Sequence, residues 1–116
     1  MENTNKIIVV VLLLIGWSVY TSVKKHVRKT SIAKKLKLDP IILDVRTSAE
    51  YGGGHYEGAL NIPVEKLEQN IKRVGKKDRP VIVYCASGSR SGRARAILKA
   101  NGFADVTNAG AFANMP

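Results

Sequence analysis

The chain divides by pattern into an unbroken apolar stretch, a basic stretch, and a longer region in which apolar clusters alternate with polar ones. Residues 7–23 (IIVVVLLLIGWSVYTSV) carry no charge and are bracketed by Lys6 and Lys24. As a helix this stretch is about 26 Å long, near the lower limit for crossing a bilayer. Trp17 and Tyr20 lie toward its C-terminal end, where interfacial aromatics are expected. It is apolar all round, which argues against a core helix with one polar face. A cleaved signal peptide shares an apolar centre of this length, but the exit (SVYTSVK, 18–24) offers no good small-x-small cleavage site. The pattern predicts a retained transmembrane helix.

Beyond it, Thr30 to Lys37 has the spacing of a short helix capped by Thr30 or Ser31, with Ile32, Ala33 and Leu36 on one face and Asp39-Pro40 ending it. Ile41 to Val45 is a contiguous apolar run interrupted only by Asp44, the signature of a strand buried on both faces in a parallel sheet. Thr47 or Ser48 can cap a short helix that stops at Gly52-Gly53-Gly54. Ala59 to Pro63 suggests a short edge strand, and Leu67, Ile71 and Val74 mark a helix over Glu65–Val74 that ends at Gly75. A second buried strand runs from Pro80 into Cys85. A helix over Ser91–Asn101 follows, with Ala94, Ile97 and Leu98 inward and Gly102 as its stop. Asp105 to Thr107 predicts a last short strand. Strands alternating with helices indicate an α/β domain with a mainly parallel central sheet flanked by helices. The expected divisions are a tail (1–6), a transmembrane helix (7–23), a basic juxtamembrane linker or helix (24–37) and a folded domain (38–116).

Charge changes the picture in one respect. The net +10 is concentrated in residues 24–37, which hold seven Lys or Arg and no acid, whereas 38–116 carry eleven Lys or Arg against eight Asp or Glu. By the positive-inside rule the basic flank places the C-terminal domain on the cytoplasmic side of the plasma membrane, with the bilayer as its first partner. The folded part has no basic stripe or aromatic platform, so nucleic acid is not an expected partner. One cysteine excludes an intramolecular disulfide and a Cys-x-x-Cys redox pair. His26 and His55 lie far apart in sequence and make no credible zinc site with a single thiol, so neither metal nor cofactor is expected.

That cysteine, Cys85, follows a buried strand (Val81-Ile82-Val83-Tyr84) and precedes a loop and helix (Ala86-Ser87-Gly88-Ser89-Arg90-Ser91). A strand of this kind delivers the thiol to the C-terminal edge of the sheet. The loop can turn N–H groups toward the sulfur, and the helix behind it adds the positive end of its dipole. Both favour thiolate, the reactive form. Free cysteines are more often inert packing; here the loop on the C-terminal side favours reactivity.

Several segments together resemble the rhodanese-like domain: Leu43-Asp44-Val45-Arg46, Glu50-Tyr51, Gly54 to Pro63 (GHYEGALNIP), Val83 to Ser91 (VYCASGSRS), Gly102-Phe103 and Val106 to Gly110 (VTNAG). The likeness covers roughly residues 38–112 and is nearest to small single-domain bacterial rhodaneses of the phage-shock type, which are typically exported. It therefore offers the periplasm as the alternative location. Two features depart from the family pattern: the usual Gly-Gly of the final motif is Gly110-Ala111, and the closing helix is cut short at Pro116.

The resemblance implies sulfur transfer. Cys85 takes sulfur from a small anionic donor such as thiosulfate, becomes a persulfide, and passes the sulfur to cyanide or a thiol, which a protein can also supply. Gly88 then permits the positive φ that curls the loop. The N–H groups of Ala86, Ser87, Gly88, Ser89, Arg90 and Ser91 stabilise the anionic sulfur, and the Arg90 guanidinium binds the donor's oxyanion. Asp44 and Arg46 are read as structural, His55 as a hydrogen-bonder at a turn, and Arg93 and Arg95 as solvated. Two alternatives compete. A cysteine phosphatase or arsenate reductase uses Cys-x5-Arg, but here the sixth residue after Cys85 is Ser91 and the arginine comes one position early. A membrane-tethered persulfide carrier or docking module would use the same cysteine without small-molecule turnover.

Overall fold

The computed structural model describes residues 2–116. Its longest element is α1, a single helix over Glu2–Leu36, about 52 Å in length. The expected transmembrane stretch and the basic segment are therefore one continuous rod. The expected new helix start at Thr30 is absent: its hydroxyl donates to the His26 carbonyl four residues back (3.0 Å), a contact made inside a helix rather than at a cap. No proline or glycine breaks the chain between Val23 and Leu36, so nothing stops the helix from propagating. The apolar residues of the 7–23 run are all exposed, Leu13 and Trp17 to 68% each, so nothing among the described residues covers them.

After α1 come β1 (Ile41–Asp44), α2 (Ser48–Gly52), β2 (Leu60–Asn61), α3 (Val64–Leu67), a 3-10 turn (Glu68–Asn70) and α4 (Ile71–Val74). They are followed by β3 (Val81–Cys85), α5 (Ser89–Ala100), β4 (Val106–Ala111) and a closing 3-10 turn (Phe112–Asn114). The four strands form one sheet in the order β2-β1-β3-β4, and every pairing is parallel. Thr47 caps α2 in a reciprocal box with Glu50. The helix expected over 65–74 is instead divided by the 3-10 turn. β4 runs four residues beyond Thr107, with a register shift that brings Gly110 opposite Tyr84.

Side chains alternate across β3. Val81, Val83 and Cys85 face a core closed by Leu67, Val74, Ala94 and Leu98, whereas Ile82 and Tyr84 face Ile32, Ala59, Ala109 and Met115. Both faces are thus covered, as an all-parallel sheet requires. The cover of the second face includes the C-terminal part of α1, whose Ile32 is buried.

Candidate active site

β3 ends on Cys85, and the chain turns at Gly88 (φ 107°) into α5. The turn closes over the sulfur. Gly88 N–H donates to Cys85 Sγ at 2.9 Å and Ser91 N–H donates to it at 3.4 Å. The Ser91 hydroxyl lies 3.4 Å from the same sulfur, 3.0 Å from the Gly88 carbonyl and 3.4 Å from the Gly110 carbonyl. With a thiol, Sγ–H donates to Ser91 Oγ; with a thiolate, the hydroxyl can rotate and donate back. Burial pushes the Cys85 thiol up, but donation from the Ser91 hydroxyl and from the N–H groups of Ser91, Gly88 and Ser87 outweighs it. The net result holds the thiol below its ordinary value.

Of the loop residues expected to surround the sulfur, Gly88 and Ser91 donate N–H groups to it. Ala86 and Ser89 form the exposed crest with Ser87. Cys85 itself is fully buried.

Arg90 is engaged elsewhere. Its guanidinium pairs with Glu50, Nη1 to Oε1 at 2.6 Å and Nη2 to Oε2 at 3.0 Å. The pair, with a further hydrogen bond from the Thr47 backbone, holds the Glu50 carboxyl at about 2. Glu50 was visible in the sequence as a motif residue, but nothing in its spacing identified it as the partner of Arg90.

Asp44 and Arg46 serve the neighbouring strand end. Arg46 donates to both Asp44 oxygens, with Nη2 to Oδ2 at 2.6 Å, and also to the Gly54 carbonyl. The guanidinium lies over the Tyr84 and Phe112 rings, at 5.5 and 4.9 Å from their centroids. Asn61 bridges the Asp44 and Arg46 carbonyls, fixing β2 to β1. These contacts hold the strand edge from which the loop departs. His55 stacks on Tyr51 and bonds its carbonyl, in keeping with a structural role. Arg93 is exposed; Arg95 is also exposed but donates through Nε to the Val106 carbonyl. Among the described residues no group of three or more metal-ligating side chains occurs.

The rhodanese-like domain profile matches residues 24–110. The chain belongs to the rhodanese-like domain family. The match to this family of sulfurtransferases begins inside α1, which agrees with Ile32 being part of the core. The Bacillus subtilis (strain 168) uncharacterized protein YqhL is 42% identical over 67 residues, which are 58% of this chain and 52% of that protein. The thiosulfate sulfurtransferase PspE of Escherichia coli (strain K12) is 41% identical over 69 residues, 59% of this chain and 66% of that one. The chain thus spans about half to two thirds of the length of these curated relatives. A solved E. coli rhodanese with anions superposes with a TM-score of 0.62 at 38% identity, covering 66% of this chain and 94% of that one.

Proposed function

We propose that this rhodanese-like protein is a membrane-anchored sulfurtransferase that carries sulfur on Cys85. The observation that carries the reading is the sulfur at the end of β3, receiving N–H groups from Gly88 and Ser91 and held below its ordinary thiol value. The Cys85 thiolate attacks the outer sulfur of thiosulfate or a similar donor. The S–S bond of the donor breaks, sulfite leaves with the bonding pair, and Cys85 holds a persulfide. Cyanide or an acceptor thiolate then attacks the terminal sulfur, and Cys85 leaves as thiolate. No general base is needed when the thiol is already ionised. The Ser87, Gly88 and Ser91 donors stabilise the anionic sulfur at both resting stages.

The uncovered apolar run of α1 serves as the anchor, because in water it would expose a continuous apolar cylinder. The basic flank favours a cytoplasmic catalytic domain. The arginine at the fifth position after Cys85, tied to Glu50, supports a loop sized for one sulfur atom over a cradle for a tetrahedral phosphate.

Intact mass of the full chain in detergent, before and after thiosulfate without reductant, tests the reading. The expected result is a gain of one sulfur atom that cyanide removes and that is absent in Cys85→Ser. A folded protein that gains no sulfur would overturn it. Stable loading with negligible transfer to small thiols would instead establish a persulfide carrier for a protein partner.

A further inference from the structure

Three contacts fix the direction in which α1 passes the sheet. Lys35 Nζ lies 2.7 Å from Asp105 Oδ2, immediately before β4 begins. One turn back along α1, Ile32 is buried beside β4, where α1 and the strand residues Thr107 and Asn108 border a groove of about 330 Å³. One turn further back, Arg28 Nη1 lies 3.3 Å from the position a Cβ would take on Gly110, near the end of β4. Numbers fall along α1 as they rise along β4, so helix and strand are antiparallel. Moving along α1 toward its apolar run is therefore moving toward the C-terminal edge of the sheet. That edge holds the reactive loop: Cys85 pairs with Ala111, and a Cβ on Gly88 would sit 3.5 Å from Gly110 Cα.

The distances decide how close this edge comes to the membrane. Arg28 follows the last residue of the apolar run, Val23, by five positions, about 7.5 Å along the helix axis. The polar layer on each side of a bilayer is about 5–8 Å thick. With the apolar run in the hydrocarbon, the level of Gly110 falls at the outer boundary of the headgroups. The opposite edge of the sheet, where Ala104 N–H meets the Lys77 carbonyl, lies about 16 Å further out, one strand length away. Arg28 is exposed and, among the described residues, makes no ion pair. Lys24, Lys25 and Lys29 surround it on the same stretch of helix.

We propose that the catalytic edge of the sheet faces the bilayer, with the loop crest of Ala86, Ser87 and Ser89 against an anionic headgroup layer that Lys24 and Arg28 engage. The proposal rests on the anchor reading of α1. Its consequence is that sulfur donors and acceptors reach Cys85 through the headgroup layer rather than from open solution.

The test uses the full chain in vesicles of phosphatidylethanolamine and phosphatidylglycerol. In a Cys85→Ser background, a single cysteine is introduced as Ser87→Cys or as Lys77→Cys and labelled with a fluorophore. Quenching is then read with a headgroup-nitroxide lipid. The sole tryptophan, Trp17, reports the anchor separately through quenching by an acyl-chain nitroxide. The expected result is a quenched Trp17 and at least twofold stronger quenching at position 87 than at 77. Ser89→Cys and Asp78→Cys repeat the comparison should either first variant fold poorly. Equal or reversed quenching with Trp17 quenched would overturn the orientation while leaving the anchor standing. An unquenched Trp17 would overturn the anchor and the orientation with it.

Discussion

Arg90 and Glu50, forty positions apart, meet through two parallel nitrogen–oxygen contacts of 2.6 and 3.0 Å at the side of the Cys85 loop. The carboxylate thereby neutralises the cation that an anionic donor would otherwise meet. Glu50→Gln should release Arg90 and lower the apparent KM for thiosulfate severalfold. Arg90→Ala should raise it, with a smaller effect on the acceptor. Steady-state kinetics with both substrates checks this, and an unchanged thiosulfate KM in both variants would remove Arg90 from donor binding.

The same pair makes stability depend on acidity. The Glu50 carboxyl is held at about 2, below its ordinary 4.5. A group depressed on folding stabilises above its unfolded value and loses that contribution as pH falls toward the folded one. The urea midpoint should therefore decline as pH drops below 4.5 toward 2. Glu50→Gln should flatten that part of the curve.

Ser91 meets the sulfur twice, its hydroxyl oxygen accepting from the thiol at 3.4 Å and its N–H donating to Sγ. Ser91→Ala keeps the N–H and removes the hydroxyl. A hydrogen bond to the charged sulfur favours the thiolate, so its loss should move the pH midpoint for alkylation of Cys85 by iodoacetamide upward. No rise would show that the backbone donors suffice.

Gly88→Ala places a side chain at a φ of 107°, in the region L residues avoid. The neighbouring Gly110 backbone would be at ordinary contact distance, so strain rather than collision sets the penalty, about 1–2 kcal/mol. Relaxing the strain rotates the Gly88 N–H away from the sulfur. Urea denaturation should show the loss, and persulfide loading should slow with it.

Arg46→Ala leaves the Asp44 carboxylate, which is fully buried, without its cation. Breaking a buried pair from one side costs about 3–5 kcal/mol. This variant should be the least stable of the set, and a loss under 1 kcal/mol would mean that water replaces the guanidinium.

How much of this was legible depended on whether the signal was local. β1 and β3 are contiguous branched apolar runs, and Thr47 with Glu50 three residues later is a complete capping signature, so both could be read directly. The length of β4 could not. Asn108-Ala109-Gly110 has little strand preference of its own, and pairing with β3 through a register shift imposes the conformation. Thr30 has the look of a cap because a threonine ahead of an apolar face is the same whether a helix begins there or merely continues. In the site, the curl at Gly88 was evident from the loop itself. The Glu50 partner of Arg90 and the Arg28 approach to Gly110 arise from tertiary placement across forty and eighty-two positions, which no local spacing encodes.

The unbroken run of α1 from the apolar segment into the core has a kinetic consequence. A flexible tether of some thirteen residues would let the domain wander over about 20 Å and sample many attitudes. A helix seated by Ile32 and by the Lys35–Asp105 bridge removes that wandering. With α1 as the proposed anchor, encounters with other molecules confined to the same sheet of lipid become a search in two dimensions at fixed height, and the ordering entropy of docking is spent in folding instead of at each collision.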